Sequence, residues 1–259
     1  MKHLRPLTAF LVVSLLLTFP LAGQAEVDDA NNVVATYPVQ AGNLGGRPSP
    51  EHQKIWASVG RLIPPSLLNL VDTLEFFEIP EKLKDEEVAT DAYATLGENG
   101  TTFTLGLNLT SAVSAFIDAD PDSVLPFQQT VFHEFGHVLS FQASQRDEAA
   151  TGTLVIDEGT LRPRAYLNLF YDQFWKKTFP GHGPAATSDA EGSALYRKDP
   201  SQFVTEYAAT GPLEDFAEAF SFFVTGEPSL GKAVKDQKLR FFAGFPELVK
   251  LREQMRQGL

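Results

Sequence analysis

The sequence predicts an α+β fold, mostly helical, with one small sheet in the first half of the chain. Three observations predict it. Helical periodicity runs through Ile55–Leu62 and Leu67–Phe77. The Thr-rich apolar run Thr101–Leu109 follows the turn pair Asn99-Gly100, the pattern of a hairpin. Beyond Asp120, helix signals dominate. The chain has 259 residues, 43% of them hydrophobic. That is enough to bury a core as one domain, or as two small lobes sharing a cleft. Its 21 Phe residues imply a phenylalanine-rich core.

Taken in order, residues 1–25 read as a signal peptide. Lys2 and Arg5 precede an apolar run, Leu7 to Leu21, and Gly23 and Ala25 supply small residues before a cut after Ala25. An uncleaved anchor is the alternative, but the run is short and ends near Pro20. Residues 26–50, rich in Asn, Gly and Pro, read as a flexible leader. Residues 51–87 read as helical, interrupted at Pro64-Pro65 and Pro80. Residues 88–110 read as a hairpin with Gly97–Gly100 at its tip. A long helix is expected from about Asp120–Pro126, capped by Asp122 or Ser123, to about Gln145. Residues 146–165 read as irregular, Leu167–Lys177 as an amphipathic aromatic helix, and 179–201 as a loop. A helix is expected from Pro212 to Gly226, and a last one from Pro246 to Gln257. The expected domain spans 51–259, with an N-terminal lobe over 51–145 and a C-terminal lobe over 146–259.

Charge and composition exclude several classes. Removing residues 1–25 takes away Lys2 and Arg5 and no acid, so 33 acids face 19 bases and the formal charge moves from −12 to −14. Such a surface disfavours nucleic acid and anionic membrane. Cysteine is absent, which excludes a thiol nucleophile and a thiolate metal site. A secreted chain without disulfides stands on its core or on bound metal. No segment after the first is apolar enough to span a bilayer, so no stable membrane association is expected once the signal is cleaved.

The chemistry is carried by His133-Glu134-Phe135-Gly136-His137, which fits the H-E-x-x-H pattern of zinc proteases. On a helix, His133 and His137 stack one turn apart on one face, so both imidazoles reach one ion. Glu134 lies beside them, where it can accept a proton from water at the metal. The alternative is two surface histidines at a chance spacing. Against it, Phe132, Phe135, Val138 and Leu139 make the helix apolar, and two His and a Glu in a buried helix need partners.

Two histidines leave a tetrahedral site in need of a third protein ligand. Position 143 is Ala and position 140 is Ser, so the metzincin arrangement is excluded. The best candidate is Glu214, with Glu218 one turn on, on a face flanked by Phe216, Phe220 and Phe223. In this reading Glu214 binds zinc and Glu218 orients a ligand histidine. Asp147, Glu148, Asp157 and Glu158 are rival ligands, and a solvated edge is the other place for Glu214 and Glu218. Tyr207, seven residues before Glu214, is either an oxyanion donor or a core tyrosine.

The segments HEFGH (133–137) and FVTEYAATGPLEDFAEAF (203–220) together resemble the family of the anthrax lethal factor catalytic domain and the secreted bacterial Pro-Pro endopeptidases, gluzincin-type zinc metallopeptidases. The resemblance implies that His133, His137 and Glu214 bind one Zn2+ per chain and that Glu134 is the general base. It implies that Tyr207 assists the transition state and that Glu218 supports the ligands. It also implies a zincin-like fold with a small twisted mixed sheet in the N-terminal lobe and a helical C-terminal lobe. An edge strand of that sheet would bind substrate by strand addition, with Thr104, Leu105, Gly106 and Leu107 as the candidate. The 77 residues from His137 to Glu214 exceed the spacing expected of those relatives and imply an insertion around 150–200.

The expectation is a secreted endopeptidase, extracellular or periplasmic and of bacterial source by resemblance, with a protein or peptide as its partner and no nucleic acid. The alternatives are an inactive zinc- or peptide-binding module and a metal-dependent hydrolase of a non-peptide amide.

Overall fold

The run NVVATYPVQ is rich in β-branched residues and forms strand β1 (Asn32–Gln40), the first element of a computed structural model that describes residues 32–80, 90–184 and 186–259. Ala41 and Gly42, both at positive φ, turn the chain into β2 (Asn43–Leu44), as a two-residue hairpin requires. The leader expected over 26–50 is thus strand and turn from Asn32 on. The signal segment, the start of the leader and residues 81–89, which take in the start of the 88–110 reading, lie outside the described residues.

Helix α1 (Pro50–Leu62) follows the reading of Ile55–Leu62. Ser49 caps it by accepting from the His52 N–H at 3.0 Å, and Pro50 occupies the first helical position. It buries Ile55, Trp56, Val59 and Leu62. The helix expected over Leu67–Phe77 is a correction. Only α2 (Pro65–Leu68) is helical, and Val71–Glu78 forms strand β3. Leu67, Leu74 and Phe77, seven and three residues apart, fit the helical period, whereas Leu74 and Phe76 alternate as on a strand. Pairing with β1 and with β5 (Phe103–Asn108) decides for the strand.

β4 (Ala92–Leu96) and β5 form the expected hairpin, closing at Leu96↔Phe103. The sheet order is β2-β1-β3-β5-β4, with β3 and β5 parallel and the other neighbours antiparallel. The sheet is therefore mixed. One face buries Val71, Leu74, Phe76, Phe103, Leu105 and Leu107. Helix α3 (Leu109–Phe116), capped by Asn108, packs on β3 and β5, and α4 (Pro121–Phe141) packs on β4.

The α4 cap is Asp120 rather than Asp122 or Ser123. Pro121 takes the first helical position and donates no N–H, so the residue before it accepts from Asp122 and Ser123. The helix stops at Phe141, and 143–145 continue as one 3₁₀ turn. Residues 146–165 carry only the two-residue strands β6 (Val155–Ile156) and β7 (Gly159–Thr160). Arg146 ties this stretch down: its guanidinium donates to the Phe141 and Glu158 carbonyls at 2.7 Å and to the Gly100 carbonyl at the hairpin tip.

Helix α5 (Tyr166–Phe174) matches the aromatic helix read from the sequence. The loop expected over 179–201 instead holds α6 (Asp189–Lys198). Ser188 and Glu191 form a capping box, a local signal that outweighs the Gly and Ala content. α7 (Pro212–Thr225) ends at Gly226 as expected. α8 (Val234–Ala243) was not read from the sequence, and α9 (Pro246–Arg256) closes the chain. Among the described residues no helix is long and apolar enough to cross a membrane.

Candidate metal centre

Helices α4 and α7 make the most extensive helix–helix contact of the fold. A glycine permits it. A Cβ on Gly136 would sit 2.9 Å from the Ala217 Cα, so the two backbones approach at a distance only glycine allows. This contact lies between His133 and His137 on one helix and between Glu214 and Glu218 on the other.

All five polar side chains of the arrangement are buried: His133, Glu134, His137 and Glu214 at 0% exposure and Glu218 at 5%. His133 Nε2 stands 3.0 Å from His137 Nε2 and 3.1 Å from Glu214 Oε2, and His137 Nε2 stands 3.4 Å from the same Oε2. Three donor atoms thus form a triangle. For a tetrahedral ion with ligand distances near 2.0–2.1 Å, the donor–donor edge is about 3.3 Å. The triangle is close to one face of such a tetrahedron. Glu214 Oε1 and His137 Nδ1 are buried without a hydrogen-bond partner, so protein groups leave this cluster incompletely satisfied. His133, His137 and Glu214 form a buried group that could hold a metal ion.

Around that triangle the other groups fall into place. Glu218 Oε1 accepts from His133 Nδ1 at 2.8 Å, which leaves Nε2 facing the triangle. Thr205 Oγ1 donates to Glu218 Oε2 at 2.6 Å and accepts from the Ala208 N–H, fixing the carboxylate. Tyr207 lies in a 3₁₀ turn (Tyr207–Thr210), 7% exposed, with its ring centroid 5.8 Å from that of His133. Burial first, and the Glu214 charge second, push its phenol well above the usual 10, so it remains a hydrogen-bond donor.

The charges of the ion-free cluster show the same demand for a cation. Burial pulls the His133 imidazole down, but its hydrogen bonds to Glu214 and Glu218 outweigh that and lift it to about 10. Burial raises Glu214, and the histidines beside it overcome that and bring it to about 2. A doubly protonated His133 ring would donate through Nδ1 to Glu218 and through Nε2 to Glu214.

The fold therefore brings together six of the residues singled out in the sequence: His133, Glu134, His137, Tyr207, Glu214 and Glu218. Asp147, Glu148, Asp157 and Glu158 stand outside the group that could hold an ion. The strand assignment is a correction. Thr104, Leu105, Gly106 and Leu107 lie on β5, which has β3 on one side and β4 on the other, so its backbone is already paired. Among the described residues the edges of the sheet are β2 and β4. Gly106 instead makes room for Tyr93, whose ring lies over it, and Tyr93 donates to Glu75 at 2.5 Å. Thr205 was missed. Its only signal in the sequence is nearness to Tyr207, and its hydroxyl finds Glu218 only once the 3₁₀ turn has formed.

Comparison of the chain with protein-family models, with curated proteins and with solved structures finds no match.

Proposed function

We propose that the protein is a zinc-dependent endopeptidase of zincin-like fold, secreted by way of the segment ending at Ala25. The observation that carries this reading is the triangle of His133 Nε2, His137 Nε2 and Glu214 Oε2, with Glu134 one residue from the first ligand. Two nitrogens and one carboxylate oxygen suit zinc, and three protein ligands leave a fourth position open for water or substrate. Zinc there would act as a Lewis acid, polarising a scissile carbonyl and lowering the pKa of water toward neutrality.

The remaining work falls to this chain's own side chains. Glu134, buried and not part of the donor triangle, takes the proton of the attacking water and returns it to the departing amine. Tyr207, kept protonated by burial and by Glu214, donates to the oxyanion of the tetrahedral stage. Glu218 and Thr205 hold the His133 ring, so that Nε2 carries the lone pair toward the metal. The resemblance of HEFGH and of the 203–220 segment to lethal factor and the Pro-Pro endopeptidases supports peptide as the substrate class.

The test uses the zinc-loaded protein, residues 26–259, and its Glu134→Gln variant. Both are incubated with a diverse peptide library, and products are read by mass spectrometry. The wild type is expected to cleave. E134Q is expected to hold one zinc per chain yet lose activity by about 10²–10⁴-fold, the usual contribution of a general base. Full activity in E134Q, or a wild type with no zinc, overturns the reading.

A further inference from the structure

Asp215, the residue after Glu214, is fully buried and lies outside the donor triangle. Its Oδ2 accepts the Trp175 Nε1–H at 2.7 Å and pairs with the Lys238 ammonium 2.5 Å away. Lys238 comes from α8 and is itself fully buried. Its ammonium stands 4.2 Å from the Phe203 ring centroid and about 6 Å from those of Phe170, Phe174 and Trp175. An ion pair is thus sealed in an aromatic box built from α5, α8 and the segment before Tyr207.

Stability alone accounts poorly for this pair. A buried ion pair seldom outperforms well-packed apolar groups of the same volume. Here Asp215 Oδ1 has no hydrogen-bond partner, which adds to the cost. The pair instead fixes a direction. The first turn of α7 carries Glu214, and its N-cap, Gly211, provides no side-chain hydrogen bond. Asp215 is held in that turn by a directed hydrogen bond from Trp175 and by the charge of Lys238, both from other elements. Neighbouring helical side chains point about 100° apart, so anchoring Asp215 sets the angle at which Glu214 meets the histidines.

We propose that the Asp215–Lys238 pair, with Trp175, positions the first turn of α7 so that the Glu214 carboxylate faces His133 and His137. This rests on the metal-site reading above. The pair touches neither substrate nor metal; it acts through the helix turn it shares with Glu214.

The test replaces the pair with apolar groups of similar size, Asp215→Leu with Lys238→Met, in the full mature chain. This removes both charges together and leaves neither stranded. Wild type and variant are titrated with Co2+, whose visible absorption reports the ligand geometry. The wild type is expected to take up one Co2+ per chain with a tetrahedral spectrum. The double variant, melting cooperatively, is expected to bind about tenfold more weakly, with an altered spectrum even at saturation. A purely stabilising pair would leave the saturated spectrum unchanged, and that result, with unchanged affinity, overturns the proposal. If the double variant does not fold, Trp175→Phe decides, because it removes one donor and keeps the ring. A shifted spectrum then supports the proposal, and an unchanged one overturns it. Failure of the wild type to bind Co2+ removes the metal reading and this inference together, whereas a wild-type site in the variant removes the inference alone.

Discussion

His133 holds both ring nitrogens against carboxylates, Nδ1 against Glu218 and Nε2 against Glu214. In the ion-free protein it is therefore a double donor, and its pKa rises from 6.5 to about 10. The sign follows. A group whose folded pKa is raised contributes stability that is complete below its ordinary value, here 6.5, and is lost as pH climbs through about 10. A metal needs the same Nε2 deprotonated, so ion and proton compete for it. Zinc uptake at about pH 7.5 is expected to release about one proton from His133, and zinc affinity is expected to increase as pH rises toward 10. Isothermal titration calorimetry in buffers of different ionisation enthalpy measures that proton; heat independent of the buffer would contradict it. The motif made His133 and His137 legible, because a spacing of four is a local property of a helix. Glu218 was read as the group that orients a histidine; that it takes His133, through Nδ1, was not legible, because the two residues lie 85 apart in the chain.

At the scale of elements, the α4–α7 contact sets the distance from His133 and His137 to Glu214. Gly136→Ala would gain up to about 1 kcal/mol of helix propensity. It would also drive a Cβ to 2.9 Å from the Ala217 Cα, and backbone cannot move aside as a flexible side chain does. Overpacking of this kind costs about 1–3 kcal/mol, so the clash outweighs the gain. G136A is expected to melt at lower temperature and to bind zinc more weakly, checked by thermal unfolding and competitive metal titration. A variant that is more stable with unaltered zinc affinity would refute the close-approach argument. Helix ends proved legible where caps are local, as at Pro212 and Gly226. Strands β1 and β3 were misread, because their pairing partners lie far along the chain and single-segment periodicity carries no record of them.

For the whole molecule, the candidate metal group joins α4 to α7 across 77 residues of sequence, from His137 to Glu214. No disulfide shares that task. With free zinc a thousandfold above its Kd, binding contributes about 4 kcal/mol to stability. For a domain of this size, removing it is expected to lower Tm by about 10 °C. Differential scanning calorimetry with and without a chelator measures the change. Recovery with Zn2+ and not with Mg2+ is expected, and a Tm indifferent to the chelator would contradict the cross-link. By itself the sequence determined the α+β class, the residues of the candidate metal group and the termini of the helices that carry a local Pro or Gly signal. These depend on composition and on spacings within one or two helical turns, where each residue's neighbours are set by backbone geometry. Only the tertiary structure decided that β5 is an inner strand, that Thr205 holds Glu218, and that Lys238 finds Asp215 inside an aromatic box. Those pairings depend on where distant elements pack against each other. That is a balance of burial over the whole core, which no local stretch of residues encodes.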